Sequence, residues 1–117
     1  MEQRRSDRVR VEYAASFSGT SSRAQGMILN LSAIGCRART EFVVKKDDCL
    51  GVLIDVPAYE RPLYIGRAEV RWSAGRDFGM EFTHMELEDQ QRLCETIRTI
   101  EAATERRTEH GDEGTPP

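Results

Sequence analysis

A chain of 117 residues, 38% hydrophobic and 32% charged, has the size of one domain with one modest core, and its composition is globular rather than disordered. No apolar run approaches the roughly 20 residues that a membrane-spanning helix needs. The formal net charge of −3 argues against a general binder of nucleic-acid polymers, which needs a broad basic field.

The positive charge is unevenly placed. Arg4, Arg5, Arg8 and Arg10 crowd the first ten residues against only Glu2 and Asp7. Fifteen of the seventeen basic residues are arginine, and Lys45 and Lys46 are the two lysines. Arginine is the planar, bidentate donor for phosphate and for the O6/N7 edge of guanine. A local arginine cluster in an acidic chain points to a small anionic ligand more than to a polymer. This N-terminus lacks the apolar stretch of a secretory signal, so a soluble, cytoplasmic protein is expected.

Residues 1–8 have no apolar periodicity and are expected to form a flexible, Arg-rich arm. From Val9 to Phe17 apolar residues alternate, with Val9, Val11, Tyr13, Ala15 and Phe17 on one face of a strand. Gln25–Leu31 reads as a second strand with Met27, Leu29 and Leu31 on one face, and Cys36–Thr40 as a third. Val43–Asp48 is a polar connector. Cys49–Val56 is a fourth strand with Leu50, Val52, Ile54 and Val56 together. A proline-bounded turn, Pro57–Pro62, leads to Leu63–Trp72. There Gly66 marks a bulge or a close backbone approach, and Ala68, Val70 and Trp72 share a face. Ser73–Asp77 is a hairpin turn before Phe78–Phe82.

The period then changes. Glu86, Glu88 and Asp89 suit a helix N-terminus. Leu93, Ile97 and Ile100 make an apolar stripe at i, i+4 and i+7, with Cys94 beside it, on a helix from about Leu87 to near Glu105. That stripe is expected to cap the chain's own barrel; it can also serve a homodimer. Residues 106–117, with Gly111, Gly114, Pro116 and Pro117, are expected to be a disordered tail. No helix separates the strands, so parallel crossovers are excluded. The fold expected for 9–105 is an all-β core, a small six-stranded antiparallel barrel, with a C-terminal helix.

Motifs of catalysis are missing: there is no G-x-S-x-G, no P-loop, no H-E-x-x-H and no Cys–His nucleophile pair near a turn. Cys36, Cys49 and Cys94 are odd in number and widely spaced, so they read as reduced core thiols. His84 and His110 lack ligand neighbours at metal spacing. No metal and no cofactor are expected, and an enzyme is not the reading favoured.

Two stretches remain. Taken singly, Arg4, Arg5 and Arg8 are a solvated terminal run. Asn30-x-Ser32-x-x-Gly35 alone is a plain turn, with Asn and Ser bonding local backbone and Gly at positive φ. Taken together, Arg4-x-x-x-Arg8 followed by Asn30-x-Ser32-x-x-Gly35 resembles the RxxxR and [D/N]xSxxG motifs of the PilZ domain. The later run Ala68-Glu69-Val70-Arg71-Trp72, then Phe78-Gly79-Met80-Glu81-Phe82, then an acidic-start helix, follows the same family's order. The resemblance covers about residues 3–100. Asn30 stands where Asp is more usual, which forgoes the charge-assisted share of its hydrogen bonds.

The resemblance implies a PilZ-type barrel that binds the bacterial second messenger cyclic di-GMP. Arg4, Arg5, Arg8, Asn30, Ser32 and Gly35 are then the ligand residues. Trp72 reads first as core; the resemblance adds a second reading, as an apolar wall or stacking face. Guanidinium groups suit two phosphates and two guanines. Asn30 presents a donor and an acceptor, Ser32 a hydroxyl, and Gly35 positive φ or close approach. Ordering of the arm over the ligand would relay the signal to an unidentified effector protein, in processes such as motility or biofilm formation. The alternative is a PilZ-like interaction module in motility or pilus assembly that binds no nucleotide. A barrel for RNA or single-stranded DNA would need aromatic platforms and a basic groove, and this composition supplies neither well.

Overall fold

The computed structural model describes residues 8–19 and 23–114, with side chains described to 104. Its strands are β1 (Val9–Ser18), β2 (Arg23–Leu31), β3 (Gly35–Thr40), β4 (Cys49–Ile54), β5 (Leu63–Ala74) and β6 (Asp77–His84), followed by helix α1 (Leu87–Gly114). Each expected strand is present to within two residues at either end. Neighbouring strands are antiparallel in the order β1-β2-β3-β6-β5-β4, and pairing of β1 with β4 closes the barrel.

Alternation explains most of the interior. Ala15 and Phe17 of β1, Cys36 and Ala38 of β3, Val52 and Ile54 of β4, and Phe78 and Met80 of β6 all point inward and are buried. Phe17 and Phe78 meet edge to face with ring centroids 5.4 Å apart, a favoured geometry for two aromatic quadrupoles.

Bulges correct the sequence reading in two places. On β2 the buried residues are Ile28 and Leu31, while Met27 is exposed. The expected face Met27–Leu29–Leu31 fails because the β2–β3 register shifts between Ile28 and Asn30. One extra residue there reverses the inside–outside phase. On β5 the register against β6 shifts between Val70 and Trp72. Ala68 and Val70 are buried, but Trp72 is turned outward and 43% exposed. Trp72 is therefore not core. A third shift, between Ile65 and Ala68, falls at Gly66. A Cβ at Gly66 would crowd the His84 side chain at Cδ2, 2.9 Å away, while the nearest backbone atom, the His84 carbonyl oxygen, stands at an ordinary 3.6 Å; of the two expectations for that glycine the bulge holds.

Helix α1 closes one end of the barrel. Leu93 and Ile97 are buried and Ile100 packs alongside; each fully buried side chain contributes about 1.5–3 kcal/mol. Arg92 clamps the helix to the β4–β5 loop. Its Nη1 donates to Asp89 Oδ1 at 3.0 Å and to the Pro62 carbonyl at 3.3 Å. Its guanidinium lies 4.6 Å from the Tyr59 ring centroid. Asp89 Oδ1 also accepts from the Tyr64 backbone N–H at 3.2 Å, tying the first helical turn to β5.

The helix continues to Gly114, through most of the stretch expected to be a disordered tail; 115–117 lie outside the described residues. Helix formers such as Glu105, Arg106, Arg107 and Glu109 carry it on. A helical glycine costs only about 1 kcal/mol, and the first proline comes at 116. All three cysteines are free thiols, but only Cys36 is buried. Cys49 opens β4 opposite Glu69, and Cys94 follows Leu93 on the solvent side of the helix, so the core reading holds for Cys36 alone.

Candidate functional site

The β2 bulge that buries Ile28 and Leu31 also turns Asn30 outward. Asn30 pairs across the ladder with Arg10 on β1 and with Arg37 on β3. Arg37 in turn pairs with Gly79 on β6, and Gly79 with Trp72 on β5. One row on the outer surface thus reads Arg10, Asn30, Arg37, Gly79, Trp72. Side chains on adjacent strands of such a row lie about 5 Å apart at Cβ. Beside it, an open groove of about 570 Å³ is lined by Arg10, Val11, Glu12, Leu29, Asn30, Arg37 and Arg39.

Arg8 joins this row. Its Nη1 donates to Asn30 Oδ1 at 2.9 Å, and the same oxygen accepts from the Arg37 backbone N–H at 3.0 Å. A single amide oxygen thereby ties Arg8, the end of β2 and β3 together. Arg4 and Arg5 lie outside the described residues.

Ser32 and Gly35 serve the turn. Ser32 is fully buried. Its hydroxyl donates to the Gly35 carbonyl at 3.1 Å and accepts from the N–H groups of Ile34 at 3.2 Å and Gly35 at 3.1 Å. One donor and two lone pairs are all a hydroxyl has, so in this conformation the group is fully engaged by backbone. The backbone adds Ser32 N–H to Gly35 carbonyl at 2.8 Å and Phe82 N–H to Ile34 carbonyl at 2.8 Å. Gly35 does not adopt positive φ; among the described glycines Gly75 does. Gly35 is needed for close approach, since a Cβ there would overlap the Met80 carbonyl oxygen.

Sequence reasoning missed Arg37, Arg39 and Asp77. Asp77 receives Arg39 Nε at 2.7 Å and Arg37 Nη2 at 3.3 Å. The hydrogen bond from Arg39, with the positive charge of both guanidinium groups, holds the Asp77 carboxyl below its ordinary range, and Asp77 raises Arg39 in return. Arg37 Nε is buried without a hydrogen-bond partner among the described residues, an unspent donor of the kind that calls for an explanation. The signal was present in Cys36-Arg37-Ala38-Arg39-Thr40, where small residues alternate with two arginines on a strand beside the motif turn. Behind this face, burial pushes the Cys36 thiol up to about 12, with Arg8 pulling the other way.

A family model described as the PilZ domain matches residues 2–98. The chain belongs to the PilZ domain family. Several solved structures share the PilZ fold seen here. The motility inhibitor MotI/DgrA of Bacillus subtilis superposes with a TM-score of 0.69 at 21% identity, over 85% of this chain and 52% of that one. YcgR of Escherichia coli in complex with c-di-GMP gives 0.76 at 13% identity, over 94% and 51%. The PilZ domain of CeSA from a cellulose-synthesizing bacterium gives 0.63 at 14% identity, over 85% and 99%. The chain thus spans about half the length of MotI/DgrA and of YcgR. At these identities the likeness is one of fold. No curated protein matches the chain in sequence. Among the described residues of this PilZ domain, no group of His, Cys, Asp and Glu is arranged to hold a metal ion, and no helix is long and apolar enough to cross a membrane.

Proposed function

We propose that this PilZ domain is a receptor for cyclic di-GMP, bound on the outer face that runs from Arg8 and Arg10 through Asn30 and Arg37 to Trp72. The observation that carries the reading is the hydrogen bond from Arg8 to Asn30, which joins one residue from each of the two stretches on a cationic face. Membership of the family, and the c-di-GMP complex of YcgR, support cyclic di-GMP as the ligand. Arg4 and Arg5, with Arg8, engage phosphate or the guanine O6/N7 edge through bidentate forks, and each good pairing with a base contributes about 1–3 kcal/mol. Asn30 meets a purine edge, the Ser32–Gly35 turn shapes the floor, and Trp72 offers a stacking face.

Fixing the arm costs roughly 1–2 kcal/mol per residue, so it closes only over a ligand that engages several arginines. Closure changes the surface presented to an effector protein and relays the signal. The name of MotI favours motility as the process. The reading as an interaction module without nucleotide expects a lost motif, whereas Arg4, Arg8, Asn30, Ser32 and Gly35 are all present.

Titration calorimetry with cyclic di-GMP tests the proposal. Saturable binding is expected, strongly weakened in an Arg4→Ala/Arg8→Ala double variant. Absence of heat at concentrations on the order of tens of micromolar would refute it, as would undiminished binding by the double variant.

A further inference from the structure

Gly79 is buried beneath Trp72, its cross-strand partner on the outer face. A Cβ built on Gly79 would overlap the indole Nε1, with Cε2 at 2.6 Å and Cδ1 at 2.9 Å. Carbon atoms in ordinary contact stand about 3.5–4.0 Å apart. The three nearest atoms are all from the five-membered ring of one side chain, so the indole lies across the glycine. Gly79 has no positive φ, and backbone freedom is therefore not what the position requires.

We infer that Gly79 is a positioning residue that seats Trp72 flat on the barrel, so that the open face of the indole stands as a stacking platform next to Arg37. Two local devices act in series. The register shift after Val70 turns Trp72 outward, and the missing side chain at 79 lets the ring lie down. Arg37 occupies the opposite side of Gly79, which places a guanidinium and an aromatic plane on one row. A ring already held by the sheet loses little freedom when a base stacks on it. The inference rests on the proposed nucleotide reading of this face and assigns a role to a residue without a side chain.

Trp72 is the chain's single tryptophan, so its emission reports on the seat directly. In Gly79→Ala the emission maximum is expected to shift to longer wavelength as the ring is lifted into water. Cyclic di-GMP affinity, read by calorimetry, is expected to fall about tenfold. In a Trp72→Ala background the same Gly79→Ala change is expected to alter affinity by less than about twofold. Equal losses in both backgrounds, or an unshifted spectrum, would overturn the inference. Should Gly79→Ala alone fail to fold, the double variant lacks the obstructing ring and is expected to fold and to bind like Trp72→Ala. A double variant that also fails to fold would overturn the inference too. A wild-type chain that binds no cyclic di-GMP would refute the nucleotide reading instead, and the emission shift would still decide the seat.

Discussion

Arg8 and Asn30, 22 residues apart in the chain, are joined by a 2.9 Å hydrogen bond from guanidinium to side-chain amide oxygen. The same oxygen holds the Arg37 N–H. Asn30→Ala removes both bonds and leaves a part-buried backbone donor unpaired, which is expected to cost about 1 kcal/mol of stability. Asn30→Asp keeps an acceptor oxygen for both bonds and adds charge opposite Arg8. Its stability is expected to stay within about 1 kcal/mol of wild type, and its cyclic di-GMP affinity to rise. Urea midpoints and calorimetry read the two effects; an Asp variant that binds more weakly than wild type would contradict the tether.

Gly35 sits where a side chain would collide with the Met80 carbonyl oxygen. Backbone cannot rotate away as a side-chain tip can, so Gly35→Ala must separate β3 from β6 locally. A loss of about 1–3 kcal/mol is expected, measured as a lower urea midpoint at unchanged slope. Wild-type stability in this variant would show that the strands can part without cost.

The three thiols are expected to differ in reactivity. Thiolate is the reactive species, and burial raises Cys36 to about 12 while Cys49 and Cys94 are exposed. A thiol-specific reagent at pH 8 should modify two cysteines in the native protein and all three in denaturant. Rapid native labelling of Cys36, located by peptide mapping, would show that the core opens readily.

Asp77 predicts a pH dependence with a definite sign. Its folded-state value is lowered, chiefly by Arg39, so its contribution is present above the ordinary aspartate range and is lost as pH falls through the lowered value. Wild type and Asp77→Asn should therefore melt with a constant difference from neutral pH down to the usual carboxylate range. Below it the two curves converge. Convergence already near pH 6 would mean that the Arg37–Asp77–Arg39 contact does not hold in solution.

The parts of this molecule that follow a simple period were legible in the sequence. Val52 and Ile54 alternate, Leu93 and Ile97 recur at helical spacing, and each lies where its period places it. Met27 and Trp72 were misplaced because a bulge adds a residue without marking the composition. Whether a strand slips is decided by its neighbours, as at Ile28–Asn30 against Ala38–Arg37. The motif turn was legible as a unit, but the division of labour within it was not. In one dimension the Ser32 hydroxyl suits a ligand or local backbone equally, and in three it is spent on three backbone hydrogen bonds. For Arg37 and Arg39, alternation with Cys36, Ala38 and Thr40 marks an outward pair on a strand, but an outward arginine on a site carries the same local pattern as one in bulk water.

Closure of the barrel by β1 and β4 limits how this domain can speak to another protein. An open sheet can accept a visiting strand along its unpaired rim, and many signalling modules dock peptides in that way. Here every described strand already has a neighbour on each side. Unpaired rim is confined to strand ends that overhang a neighbour, such as the part of β1 before Ala15 on its β4 side. Elsewhere a partner must grip side chains, loops or the helix, and recognition depends on the identity of exposed residues.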